Sequence, residues 1–490
     1  MSTIIEATYR NQWKDIENYL DAGGDIEATD EEGNTALLVA AIKGKVKLFK
    51  KLISRGANIQ HKNSRGESVL LATVFGQNFE IVKYIIDDSS DIDIRDSEGD
   101  TPLMVAASLG NMKIVKLLVE HGADVNAISR SSNYSPLLDS LQKGHKNIAK
   151  HLIEHGARVD IMGNDKNTPL MYAIHHNMPQ IALNLIDKGC DVYGKNEEGI
   201  NALFAAAMIK NTELIDVLLG KGLDINDVDK WGHTALFTCA VNAQTDVMKF
   251  LIARGINVDH IDDKGYTALH LAMDYDSIGV VEILARATKN IDVRGKDGGT
   301  ALMYAAAKGK LKFVKILITY GADCNAETDG SEAMALVQAL LYSHSEVAKY
   351  LILNGVKINP VVQPGGSPLI LAISKKLTEV ALLLIRQGND VNVYDTKNLS
   401  ALSGAAAIGD LTIVRALINS GANIDEQSDD GSSPLFQAIY YNHDKIVRHL
   451  LSKGADRTIK NSNGYTPREY AAQLGREKLL EIFKLNEFLN

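Results

Sequence analysis

Few residues in this sequence have types and spacings that would support catalysis or metal binding. His175 and His176 supply two imidazoles, but neighbouring residues on a helix point to different sides, and no cysteine or second histidine pair lies at ligand spacing. Residues 91–96 faintly resemble a calcium loop, yet the sixth position lacks glycine and the twelfth lacks glutamate. We therefore expect no metal site and no cofactor.

The cysteines also argue against catalysis. Cys190, Cys239 and Cys324 lie far apart and occupy positions that suit small buried residues. A thiol packed in this way is a poor nucleophile because burial disfavours the thiolate. The motifs of metalloproteases, phosphate-binding loops, dinucleotide-binding folds and serine hydrolases are absent from the sequence. These observations predict a protein that is not an enzyme.

The composition is that of a folded chain without a basic surplus. The 490 residues are 45% hydrophobic and 23% charged, and the formal net charge is −9. An acidic balance disfavours nucleic-acid binding, which needs a basic surface. The sequence contains neither an apolar run long enough to span a membrane nor a recognisable signal peptide. We expect a cytoplasmic protein in a reducing compartment, without membrane insertion.

A period of about 33 residues organises the sequence. Counted from Pro102, the equivalent position recurs at this interval along the chain, with one extra residue before Pro136 and another before Ala335. In a typical unit a turn precedes Thr101, which can cap a helix that begins at Pro102 and ends at Gly110. A second helix follows, with apolar residues at helical spacing. Each unit is predicted to be an antiparallel helix pair with a projecting turn.

These units resemble ankyrin repeats, most closely in residues 99–127, 265–272 and 300–326. The resemblance implies an all-α solenoid of helix-turn-helix units with projecting β-turn or hairpin fingers. We predict a single array over residues 1–490. It comprises a divergent N-terminal capping unit (1–29), thirteen full repeats of about 33 residues each (30–457) and a C-terminal capping repeat (458–490).

Two departures from the repeat pattern stand out. The glycine that ends the first helix is replaced in four consecutive units, by Asn177, Lys210, Ala243 and Asp276. The loops at residues 128–134 and 327–333 each contain one extra residue. Drift within a regular stack and a local kink are both compatible with these loops.

The resemblance implies that partner proteins bind the concave side, formed by the turn tips and the exposed ends of the first helices. Most tips are polar, but the middle of the array places apolar and aromatic residues there. An exposed tryptophan lowers solubility unless a partner covers it, and aromatic residues dominate binding energy at interfaces. Packing between neighbouring tips is the alternative interpretation. The candidate partner-binding residues are Met208, Ile209, Trp231, His233, Val241, Tyr266 and Tyr275.

Further apolar residues lie at concave positions, at one or two per repeat. Their scatter favours packing of each side chain on its neighbour over partner binding. They are Phe75, Leu109, Tyr134, Tyr342, Tyr440 and Tyr441.

The predicted function is a non-catalytic scaffold or adaptor that binds partner proteins and is itself monomeric. The many Ile, Lys and Asn residues indicate an AT-rich genome, which extends the prediction to a host-directed effector of an intracellular microbe, secreted into the host cell. Two alternatives stay open. The chain could be a targeting or regulatory subunit for an enzyme supplied in trans, or a mechanical spacer without specific partners.

Overall fold

The computed structural model describes residues 4–86, 91–328, 334–359 and 367–487. Within these ranges the chain forms thirty helices and no strand. Isolated bridges between Thr29 and Thr35, Lys62 and Ser68, and Tyr394 and Ser400 close the bases of three turns. The all-α prediction is therefore confirmed, and the projecting fingers are turns. Most of the loop at 327–333 lies outside the described residues.

The chain divides into two compact units, Met1–Thr238 (unit 1) and Cys239–Asn490 (unit 2). Both are built from helix pairs, and the first helix of each pair is called inner and the second outer. Odd-numbered helices below are inner and even-numbered helices are outer. That all the repeats form one continuous array stays a prediction.

Unit 1 contains seven helix pairs and the start of an eighth inner helix. Its helices are α1 (Ile4–Tyr9), α2 (Trp13–Asp21), α3 (Ala36–Ile42), α4 (Val46–Ser54), α5 (Val69–Phe75), α6 (Phe79–Ile86), α7 (Pro102–Ser108), α8 (Met112–Glu120), α9 (Pro136–Gln142), α10 (Lys146–Glu154), α11 (Pro169–His175), α12 (Pro179–Asp187), α13 (Ala202–Met208) and α14 (Thr212–Gly220). The next helix, α15 (Ala235–Val241), contains the boundary between the two units.

Unit 2 continues the same alternation to the end of the described chain. Its helices are α16 (Thr245–Ala253), α17 (Ala268–Ala272), α18 (Ile278–Ala287), α19 (Ala301–Ala307), α20 (Leu311–Thr319), α21 (Ala335–Leu341), α22 (Ser345–Leu353), α23 (Pro368–Ser374), α24 (Thr378–Arg386), α25 (Ala401–Ile408), α26 (Leu411–Asn419), α27 (Pro434–Tyr440), α28 (Asp444–Ser452), α29 (Pro467–Gln473) and α30 (Glu477–Glu487).

Local sequence explains where the inner helices begin. The Thr101 hydroxyl oxygen accepts a hydrogen bond from the Met104 N–H at 3.4 Å, and Pro102 occupies the first helical position. Thr35, Ser68 and Thr168 cap their helices in the same way. Each hydroxyl satisfies a backbone N–H that would otherwise lack a partner, so the predicted helix starts are confirmed.

The turn tips are held by one recurring side chain. The Asp96 carboxylate accepts hydrogen bonds from the N–H groups of Glu98 at 3.0 Å and Asp100 at 2.9 Å. Neighbouring tips are also linked, since the Ser97 N–H donates to the Arg65 carbonyl at 2.9 Å. The same paired acceptance occurs at Asp30, Asn63, Asn196, Asp229, Asp262, Asp395 and Asn461.

The core of each unit is a thin seam between successive repeats. Inner helices pack on the next inner helix and on their own outer helix, as α7 does with α8 and α9. Leu103 of α7 and Leu118 of α8 are fully buried in this seam. Because each repeat buries its apolar side only against its neighbours, the surface is large relative to the core.

The extra residue at 128–134 is absorbed within its own tip. The N–H groups of Arg130 and Ser131 both donate to the Glu98 carbonyl at 3.1 Å, and the Ser129 N–H donates to the Tyr134 carbonyl at 2.8 Å. The tip is wider than its neighbours but keeps the link between adjacent tips.

Replacement of the glycine at the end of the inner helix is not confined to the four consecutive units noted in the sequence. Asn177, Lys210 and Ala243 keep the positive φ that glycine would adopt there, at 52°, 62° and 52°. Such a backbone strains a residue that has a side chain. The same conformation recurs far from the middle of the sequence, at Gln77, Ser343, Lys376 and Asn442. Loss of this glycine therefore does not single out the candidate partner-binding residues.

Candidate protein-binding surface

Exposed apolar side chains gather at the ends of the inner helices. Of the eighteen large hydrophobic residues that are exposed in the described chain, nine are the seventh or eighth residue counted from the start of an inner helix. We call these the inner-helix-end positions. In unit 1 they hold Phe75, Leu109 and Met208, and in unit 2 they hold Val241, Tyr275, Leu341, Tyr342, Tyr440 and Tyr441.

Trp231 is the exposed aromatic residue at a described tip, with 44% of its surface accessible. The Lys230 ammonium lies 4.4 Å from the centre of its ring, a cation–π contact that covers one face. His233 lies 6.2 Å from Trp231, centre to centre, and stacks on Phe237 at 5.0 Å. The structure thus brings Trp231 and His233 together in unit 1.

The other candidate residues divide between the two units. Met208 is exposed and Ile209 half-buried at the end of α13 in unit 1. Val241 and Tyr275 belong to unit 2 and are exposed at 36% and 37%, less than most of the other exposed apolar residues.

Tyr266 packs inside unit 2 and is half-buried. Its ring centre lies 6.1 Å from that of Tyr304, in an edge-to-face arrangement. It also lies over Gly295, where an added Cβ would approach the ring carbon Cε1 to 2.2 Å. For Tyr266, these contacts match the alternative interpretation, packing between neighbouring tips.

The packing around Tyr266 occurs a second time, in unit 1. Tyr134 lies over Gly163, where an added Cβ would come within 2.0 Å of Cε1, and its hydroxyl lies 2.7 Å from that of Tyr172. Tyr172 donates a hydrogen bond to Asp165, as Tyr304 does to Asp297. In both copies burial and the acidic partner raise the pKa of the inner-helix tyrosine, Tyr172 or Tyr304.

A cleft of about 470 Å³ lies beside Tyr304 and Asp297 in unit 2. Tyr304 and Tyr342 line it with aromatic surface, and Gln338 and Lys308 add polar groups. The Lys308 ammonium pairs with Asp274 at 2.5 Å. The ring of Tyr342 is stacked with that of His344, with centres 6.5 Å apart, and the residue is 61% exposed.

The six further apolar residues at concave positions differ in how much of their surface is exposed. Tyr134 packs on its neighbour, as expected. Phe75, Leu109, Tyr342, Tyr440 and Tyr441 are exposed at 38% or more. Sequence reasoning missed Leu341, which is 41% exposed beside Tyr342.

Asp139 is an unforeseen feature of the inner helices in unit 1. It lies on α9 at the position that Val105 and Tyr172 occupy in the adjacent repeats. Burial, reinforced by the negative charge of Asp100, raises the pKa of its carboxyl group to about 8, although Lys143 opposes the shift. Asp139 is therefore largely protonated at neutral pH.

The thiols and histidines show no arrangement for catalysis or metal binding in the described residues. Burial raises the pKa of Cys190 to about 11 and that of Cys239 to about 12, and Cys324 is half-buried. No group of three histidine, cysteine or acidic side chains in the described ranges could hold a metal ion. None of the helices described has both the length and the apolar character needed to cross a membrane.

Comparison with known proteins identifies the family. A model of ankyrin repeats in sets of three copies matches residues 4–96, 37–129, 128–196, 202–297, 244–328, 302–395 and 402–487. The chain therefore belongs to the ankyrin-repeat family, whose repeats are protein-interaction modules. It is also similar to human transient receptor potential cation channel subfamily A member 1, with 40% identity over 68 residues. That match covers 14% of this chain and 6% of the channel subunit.

Proposed function

We propose that the chain is a non-catalytic scaffold that binds partner proteins through its inner-helix-end positions and the adjoining tips. The observation that supports this most directly is the placement of the exposed apolar residues. Half of those described occupy the same two positions of the repeat. Exposed apolar groups that gather in this way are typical of protein-binding surfaces.

The aromatic residues supply the anchors of the proposed surface. Tyrosine and tryptophan contribute large contact areas and are enriched among the residues that dominate interface energies. In unit 2 the strongest candidates are Tyr342, Tyr440 and Tyr441, each exposed at 49% or more. In unit 1 the aromatic candidate is Trp231, with His233 beside it, and the apolar Met208 and Ile209 lie at the end of α13. Val241 and Tyr275 contribute less contact area to the proposed surface, and Tyr266 contributes through its packing against Tyr304.

The cleft beside Tyr342 indicates how a partner would bind in unit 2. Its volume of about 470 Å³ lies within the usual range of ligand sites and accommodates one or two side chains of a peptide. Aromatic walls at Tyr304 and Tyr342 favour an apolar side chain, and Gln338 can hydrogen-bond its backbone. We propose that an extended segment of a partner protein inserts such a residue here.

The raised pKa values of Cys190 and Cys239 support a non-catalytic role. With pKa values of about 11 and about 12, these thiols carry little thiolate at neutral pH. The proposal therefore assigns the chain binding alone.

The test is selection of random peptides displayed on phage against the full chain, followed by calorimetric titration of the enriched sequences. The binding-surface variant combines Tyr342→Ser with Tyr441→Ser, and a second variant carries Trp231→Ala. We expect enriched peptides whose affinity falls about tenfold or more in one of these variants, because removal of a dominant interface anchor typically costs about 2 kcal/mol or more and about 1.4 kcal/mol is a tenfold change.

The matched control combines Tyr193→Ser with Tyr84→Ser. Both tyrosines are exposed, at 59% and 42%, and both lie outside the inner-helix-end positions. Peptide binding should survive in the control. Enrichment of peptides that bind every variant equally well, or loss of binding only in the control, would place the interaction surface elsewhere.

A further inference from the structure

The outer helices of unit 1 carry a row of lysines in four consecutive repeats. Lys50, Lys83, Lys116 and Lys150 are each the fifth residue of their helix and so occupy the same position of α4, α6, α8 and α10. All four side chains are exposed. We call this set the lysine row.

The lysine row belongs to a local basic surface on a chain of net charge −9. Helix α4 has three lysines and no acidic residue, and α8 and α10 each have two lysines and one glutamate. The next two outer helices, α12 and α14, contain acidic residues and no lysine. Positive charge is thus concentrated on α4, α8 and α10, whereas on α6 the exposed Glu80 balances Lys83.

Charged residues of both signs adjoin the row. Glu120 and Glu154 lie four residues after Lys116 and Lys150, one helical turn away, and both are exposed. The Lys150 ammonium approaches the Glu154 carboxylate at 3.8 Å. Negative charge therefore borders the row on one side only, and on the other side the exposed Lys47, Lys113 and Lys146 lie three or four residues before it in the sequence.

The spacing of the row suits one class of ligand. Successive outer helices pack on each other within unit 1, at separations of about 8–10 Å. A polypeptide in the polyproline II conformation has three residues per turn and rises about 3.1 Å per residue, so every third side chain lies on one face at intervals of about 9 Å. Acidic residues at every third position would each meet one lysine.

Other polyanions fit the row less well. A duplex or an anionic vesicle presents charge over a broad area and would also meet Glu120 and Glu154. Single-stranded nucleic acid needs aromatic platforms on which bases stack. On the four described helices the exposed aromatic residue is Tyr84, and the Lys50 ammonium already lies 5.0 Å from the centre of its ring.

We propose that the lysine row binds an acidic, polyproline II segment of a partner protein with an acidic residue at every third position. This surface is separate from the inner-helix-end positions, so it would add a second mode of recognition to the scaffold.

The probe is a dye-labelled peptide with four Glu-Pro-Pro triplets, and its binding to the full chain is followed by fluorescence anisotropy at low salt. A comparison peptide has the same residues with the four glutamates adjacent. The row variant combines Lys50→Gln, Lys83→Gln, Lys116→Gln and Lys150→Gln. The control variant makes an equal charge change on outer helices of unit 2 and combines Lys249→Gln, Lys312→Gln, Lys315→Gln and Lys445→Gln.

We expect the spaced peptide to bind more tightly than the comparison peptide, and its affinity to fall about tenfold or more in the row variant and less than about twofold in the control. Equal losses in both variants, equal affinity for both peptides, or no binding would overturn the proposal. Tighter, row-dependent binding of a DNA duplex or of phosphatidylserine vesicles would overturn it in favour of that ligand. If the quadruple variant unfolds, the Lys50/Lys83 and Lys116/Lys150 double variants provide the same comparison.

Discussion

Replacement of Asp139 by asparagine should make the stability of unit 1 less dependent on pH. Asparagine keeps the size and shape of the side chain but cannot ionise. In the folded protein, burial and the charge of Asp100 raise the pKa of Asp139 to about 8. In the unfolded chain the group returns to the ordinary value of about 3.9. Between these values the folded state keeps a proton that the unfolded state releases.

The sign of the effect follows from this difference. Because the folded pKa is raised, the contribution of Asp139 to stability is fully present below about pH 4 and is lost as the pH rises towards about 8. Each pH unit within this window costs up to about 1.4 kcal/mol of unfolding free energy. Between about pH 5 and about pH 7 the full effect is therefore roughly 3 kcal/mol, and partial exposure of the side chain reduces it to about half.

Urea unfolding followed by tryptophan fluorescence measures this effect. Both tryptophans of the chain, Trp13 and Trp231, lie in unit 1, so their emission reports its unfolding. We expect the stability difference between Asp139→Asn and wild type to grow by about 1.5 kcal/mol from about pH 5 to about pH 7. Asp100→Asn should lower the folded pKa of Asp139 and so end the pH-dependent window at a lower pH, because it removes a neighbouring negative charge.

The matched control is Asp160→Asn. The Arg158 guanidinium lowers the pKa of this exposed carboxyl group, so Asp160 is ionised in both states throughout the same pH interval. Its substitution should change stability by an amount that does not vary with pH. A stability difference for Asp139→Asn that is also independent of pH would refute the assignment of a half-buried, protonated carboxyl group on α9.

Two further predictions concern other parts of the molecule. Gly295→Ala should lower the free energy of unfolding of unit 2 by about 1–3 kcal/mol, because the added Cβ would clash with the Tyr266 ring. In the control Gly220→Ala nothing lies within 4 Å of the added carbon, so thermal unfolding should show a neutral or stabilising effect. Iodoacetamide at mildly alkaline pH should modify the half-buried Cys324 before Cys190 and Cys239, whose pKa values are about 11 and about 12. The order of modification is read by mass spectrometry, and modification of Cys239 first would contradict the burial of its thiol.

The repeat fold could be predicted from the sequence because each unit contains its own start and stop signals. Thr101 caps a helix, Pro102 occupies its first position, and Gly122 takes the positive φ of 87° that ends the second helix. These signals act over a few residues, so they can be recognised without knowledge of distant contacts. Repetition along the chain then confirms each of them.

The binding surface was less predictable because neighbouring positions of one tip have opposite environments. Trp231 precedes the turn glycine and is exposed, whereas Tyr266 follows it and packs over Gly295. The packing of Tyr266 could have been recognised from the glycine at the start of the next tip, Gly295. The pair Tyr134 and Gly163 shows the same combination of a tyrosine after one turn and a glycine at the start of the next. The partial burial of Asp139 could not be predicted from the neighbouring sequence, because it depends on side chains from adjacent repeats.

The two tyrosine clusters also bear on how the chain lengthened. Tyr134, Gly163, Asp165 and Tyr172 reappear as Tyr266, Gly295, Asp297 and Tyr304, each displaced by the same four repeats along the chain. Duplication of a four-repeat block in one event would produce this correspondence. Such growth copies a complete contact between adjacent tips together with the residue that accommodates it, so the chain can gain length without a new compensating substitution.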